Sequence, residues 1–96
     1  MSEDDITTLK VRVEGFVQGV GFRDFLSMAA DANQLHGWVR NLSDGAVEAL
    51  VSGPTKAVEA FVSAATRGPQ GARVTAVDLD VCDPPTEKGF RRVTSA

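Results

Sequence analysis

Three glycines, at positions 15, 19 and 21, sit between two segments of different hydrophobic period, and this junction limits what the chain can fold into. Before it, Leu9, Val11 and Val13 alternate with Lys10, Arg12 and Glu14, the period of a half-buried strand. After it, Phe22, Phe25, Leu26, Ala29 and Ala30 recur at helical spacing, which predicts a helix over 22–33. The stretch "EGFVQGVGFRDF" (Glu14 to Phe25) is therefore a strand-to-helix turn rich in residues that accept unusual backbone angles. Successive N–H groups in such a turn form an anion-binding hollow, and the helix N-terminus adds its own unpaired donors. Arg23, in the first helical turn, brings a planar charge suited to phosphate or carboxylate oxygens. A tight connection beside a solvated arginine fits the same composition equally well. No Gly-Lys-Ser/Thr follows, and Gly-x-Gly-x-x-Gly is absent, so a nucleotide site is not expected.

The remaining chain supplies the frame. "GWVRNL" reads as a second strand, Ser43-Asp44-Gly45 as a hairpin turn and "AVEALVS" as the answering strand. Gly53-Pro54-Thr55 opens a second helix whose apolar face is Val58, Phe61, Val62 and Ala65, and Gly68-Pro69 ends it. Val77, Leu79 and Val81 alternate with Ala76, Asp78 and Asp80 as a further strand. Asp83-Pro84-Pro85 breaks the chain, and "GFRRV" allows a short last strand. The order βαββαβ predicts an α+β, ferredoxin-like two-layer α/β sandwich, an antiparallel sheet with two helices on one face. Strands one and two then run the same way with strand three between them. Their carboxyl ends, at Gly15 and Asn41, share one edge. Residues 1–7 are expected to be a polar tail and residues 8–96 a single domain.

Charge and cysteine usage narrow the function classes. The net charge is −3 and the pI about 5.0, which argues against nucleic acid or an anionic membrane as partner. Cys82 is the single cysteine, so neither an internal disulfide nor a cysteine-rich metal site is available. The N-terminus "MSEDDITTLK" lacks the apolar region of a signal peptide, and no apolar run is long enough to span a bilayer. A cytoplasmic monomer without metal or cofactor is the expectation. His36 stands alone and reads as structural, Trp38 as packing in or over the core, and Phe22, Phe25 and Phe61 as core. Asp24 reads as a helix-start charge favoured by the dipole. Arg91 and Arg92 are surface charges unless the last strand borders the hollow.

The segments "GFVQGVGFR" and "GWVRNLSDGAVEALVSGP" together resemble the two signature segments of the acylphosphatase family, a resemblance running from about Leu9 to the end of the chain. It implies metal-independent hydrolysis of a small-molecule acyl phosphate to a carboxylate and inorganic phosphate. It also implies that the backbone amides of Phe16, Val17, Gln18, Gly19, Val20 and Gly21, together with Arg23, hold the phosphate, and that Asn41 positions the attacking water. Many family members carry a basic residue where this chain has Phe16, a change that keeps the loop amide and lowers the positive charge at the mouth. An acyl phosphate has a good carboxylate leaving group, so positioning and charge stabilisation can carry most of the chemistry. The alternative is a non-catalytic phosphate-binding regulatory module of the same shape, which would have no need of Asn41. A carbamoyl-phosphate-handling domain ranks lower, since the chain stops after one domain and shows no cysteine-rich zinc segment. An RNA-binding domain ranks lower still, because the charge is acidic and aromatic strand motifs are missing.

Overall fold

Strand β1 (Ile6–Phe16) is the hub of the sheet. In this computed structural model, which describes residues 5–96, it pairs antiparallel with β3 (Val47–Pro54) on one side and β4 (Arg73–Val81) on the other. Strand β2 (His36–Asn41) pairs antiparallel with β3, and the short β5 (Phe90–Arg92) runs parallel to β2, giving the order β4-β1-β3-β2-β5. The central order is the expected one. The added fifth strand makes the sheet mixed, where a purely antiparallel one was expected, because the segment after Pro85 returns along the free edge of β2.

Period-two alternation sorts the strands into two faces. Val11, Val13, Val39, Val47, Ala49 and Val51 point one way and are fully buried. Helices α1 (Phe22–Ala32) and α2 (Thr55–Arg67) cover that face through Phe22, Leu26 and Ala30, and through Val58, Phe61 and Ala65. Each large side chain buried there contributes about 1.5–3 kcal/mol. Helix α1 ends where Gln34 turns left-handed at φ 55° and Leu35 N–H returns to the Ala30 carbonyl at 2.9 Å.

The tail boundary changes, and the places of Trp38, Leu79 and Val81 become definite. The polar tail was drawn to residue 7, but Ile6 and Thr7 already pair in β1, and Thr7 Oγ1 lies 2.7 Å from Thr55 Oγ1; residues 1–4 lie outside the described residues. Trp38 is not in the helix-covered core: Val39 takes the inward phase, so Trp38 lies on the open face opposite Leu50, with the Arg40 guanidinium 4.9 Å from its ring centre. Leu79 and Val81 are 48% and 87% exposed, because β4 is an edge strand and only Val74 and Val77 reach the core. Among the described residues, no helix is long and apolar enough to cross a membrane.

Candidate active site

The turn between β1 and α1 is built to leave its donors unused. Gly19 and Gly21 have φ of 77° and 76°, in the left-handed region, and a side chain at either would meet nothing nearby. Their glycines thus serve the backbone angle, not close packing. Gly21 stands at the N-cap of α1, which has no side-chain cap, and the first helical bond is Phe25 N–H to the Gly21 carbonyl at 3.0 Å. From Val17 to Asp24 no backbone N–H makes a well-formed bond to a backbone carbonyl among the described residues. Such groups normally find partners, and the helix dipole adds positive potential in the same place.

Two anchors hold this loop. Val17 is buried in the core, and Val20 packs against it. Gln18 reaches across to the β2–β3 turn, its Nε2 donating to the Leu42 and Ala46 carbonyls at 2.8 and 2.9 Å. The turn is closed by Leu42 N–H to the Ala46 carbonyl at 2.8 Å and by Ala46 N–H to Asp44 Oδ1 at 3.0 Å. Arg12 donates to Asp44 Oδ2 at 2.7 Å, and this bond holds the Asp44 carboxyl below the usual carboxylate range. Asn41 ends β2 beside this turn. Its side-chain oxygen is buried and has no hydrogen-bond partner among the described residues. A buried amide oxygen left unpaired is costly unless a donor arrives.

These pieces meet in one cleft of about 90 Å³, room for several water molecules. Val17, Gln18, Gly19 and Gly21 line one side, and Phe22, Arg23 and Asp24 follow at the start of α1. Asn41 and Arg92 complete it. Two of the residues expected at the phosphate do not line it. Phe16 ends β1 with 63% of its surface exposed, and Val20 turns toward the core. Arg92 and Asp24 line it and form an ion pair with each other. The sequence reading took Asp24 as a helix-start charge and Arg92 as a surface charge unless the last strand bordered the hollow, and that condition is met. The signal was present in "GFRRV": Phe90 packs tilted against Phe61, so Arg92, two residues on, shares its face. His36 lies elsewhere, its Nδ1 accepting Gly89 N–H at 2.7 Å, and among the described residues no group of three or more metal-ligating side chains gathers.

The family model for acylphosphatase matches residues 9–92. The chain belongs to the acylphosphatase family. An acylphosphatase from Burkholderia thailandensis is 45% identical to it, each chain covered over 96% of its length. Among solved structures, the acylphosphatase of Coxiella burnetii superposes with a TM-score of 0.88 at 34% identity, covering 93% of this chain and 94% of that one. The acylphosphatase of Bacillus subtilis gives 0.86 at 38% identity, covering 93% and 99%. The two-layer frame is thus that of solved acylphosphatases, and the matched span runs from β1 through β5, Arg92 included.

Proposed function

We propose that this protein hydrolyses acyl phosphates to a carboxylate and inorganic phosphate. The phosphoryl group is held by the amides of the loop over residues 16–21 and by Arg23, and Asn41 holds the attacking water. The observation that carries this reading is the loop and helix start whose N–H groups make no well-formed bond to a backbone carbonyl, and which through Val17, Gln18, Gly19, Gly21, Phe22 and Asp24 line the same cleft as Arg23 and Asn41.

The chemistry follows from these groups. Water oxygen bonds to phosphorus on the side opposite the acyl oxygen. The old phosphorus–oxygen bond breaks, and its electron pair leaves with the carboxylate. Loop amides and the Arg23 fork stabilise the equatorial oxygens as charge shifts between them. The Asn41 side-chain oxygen accepts a hydrogen bond from the water and so fixes its line of approach. An amide is no base, so the released proton goes to a phosphate oxygen, giving dihydrogen phosphate and the free carboxylate.

Turnover of benzoyl phosphate in excess chelator tests the reading, wild type beside Asn41→Ala. The expected result is chelator-resistant turnover that collapses in the variant while inorganic phosphate still binds. A wild type that binds phosphate and leaves benzoyl phosphate intact would instead be a regulatory anion-binding module.

A further inference from the structure

We propose that Arg92 is a second cationic contact for the bound phosphoryl group and that Asp24 is its internal competitor; this rests on the acyl phosphate reading above. Four observations converge on it. Arg92 and Asp24 line the same cleft as Arg23 and Asn41. Of the side chains lining it, Arg23 and Arg92 are the cations and Asp24 the one carboxylate, so the pairing of Arg92 with Asp24 leaves Arg23 as the sole uncompensated charge. The pair is open to water, with 46% of the Arg92 side chain and 67% of the Asp24 side chain exposed, and exposed pairs of this kind are held weakly. The backbone beneath Arg92, by contrast, is fixed: β5 pairs in parallel with β2, Val93 N–H donates to the Val39 carbonyl at 3.0 Å, and Ala96 N–H donates to the Asn41 carbonyl at 3.0 Å.

The arginine is therefore positioned by a strand and restrained by an exchangeable partner. A phosphoryl dianion entering the cleft offers it more charge than one carboxylate and two oxygens suited to its fork. Arg92 transfers from Asp24 to the anion, and Asp24 is released to solvent. Asp24 then sets affinity, holding product phosphate less tightly than two free arginines would. The neighbouring Arg91 makes the contrast: it points to the other face, paired with Glu87.

The test is equilibrium binding of inorganic phosphate to the full chain, at one ionic strength, for wild type, Arg92→Gln, Asp24→Asn, the double variant, and Arg91→Gln as a charge-matched control. Arg92→Gln is expected to weaken phosphate about tenfold, the scale of one lost charge-assisted contact, and Arg91→Gln to leave affinity unchanged. Asp24→Asn is expected to tighten phosphate several-fold, and only while Arg92 is present. Arg92→Lys, which keeps the charge and loses the fork, is expected to fall between. An Arg92→Gln protein that melts like wild type and binds phosphate equally well overturns the proposal. So does an Asp24→Asn gain that persists in the double variant, since Asp24 would then act on the loop directly. Wild type failing to bind phosphate at all would overturn the function reading as well, whereas either of the former results leaves benzoyl phosphate turnover and its dependence on Asn41 standing.

Discussion

On the open face of the sheet, Arg40 donates through Nε and Nη2 to one Glu48 oxygen at 2.9 and 2.7 Å and stacks on Trp38, while Thr8 Oγ1 lies 2.7 Å from Ser52 Oγ. At the cleft, the N–H groups of residues 17–24 and the Asn41 side-chain oxygen have no such partner among the described residues, and Arg23 makes no ion pair there. The same sheet carries both arrangements. Polar groups that answer one another add modest stability and are chemically finished. Polar groups held rigid without partners leave interaction energy uncollected until a ligand supplies the missing atoms, and so can act on a transition state. The difference between the two regions separates what holds the protein together from what it does.

Mutations can break this division if it is wrong. Arg23→Ala should reduce kcat/KM for benzoyl phosphate by ~10²–10³ and leave the melting temperature near that of wild type, since Arg23 holds nothing else in place; normal turnover in this variant would end the active-site reading. Gln18→Leu is the intermediate case, because Gln18 is a loop residue whose side chain is bonded internally. It removes one of the two bonds that the Leu42 and Ala46 carbonyls each accept, the others coming from Gly45 N–H and Leu42 N–H, so a loss of about 0.5–1.5 kcal/mol in denaturant unfolding is expected, with phosphate binding weakened as the loop loosens. Unchanged stability would mean that the strut is not what fixes the loop beside Asn41. The smallest effect belongs to Asp44. Its folded carboxyl is held below the unfolded value by Arg12, so its stabilising contribution is present above the unfolded value of about 3.9 and is lost as pH falls through the folded one. Acid melting of wild type should therefore fall more steeply below about pH 4 than that of Asp44→Asn, and high salt should shrink the gap; parallel curves would remove Asp44 from the account.

Much of this architecture was written in local pattern. The change of period on either side of Gly15, Gly19 and Gly21 marks β1 and α1, and strand order follows from short connections once βαββαβ is read. The meeting of the glycine loop with Asn41 follows from that topology, because β1 and β2 run the same way. What escaped depends on information that alternation alone does not hold. Trp38 was read as packing in or over the core, and the choice turned on phase: a strand has two, and Val39 claims the inner one. Leu79 and Val81 have the right phase on a strand too far from the helices to be covered. Arg92 was undecidable while the edge that accepts β5 was unknown; pairing with β2 places it at the cleft, and pairing with β4 would have carried it to the far side of the sheet.

That last pairing also governs the order in which the cleft can come into being. Its loop comes early in the chain and Arg92 near the other end, with the whole hairpin and second helix between them. Contacts so distant in sequence form late, after loop-closure entropy has been overcome. If Arg92 contacts phosphate as proposed, its share of the affinity is the last that a refolding chain acquires, and a protein caught with β5 undocked would keep most of its core and the loop's part of the grip. Conversely, an anion that bridged the loop and Arg92 would tie the two ends of the chain together and stabilise the folded state by mass action, a latch on the fold as well as a ligand.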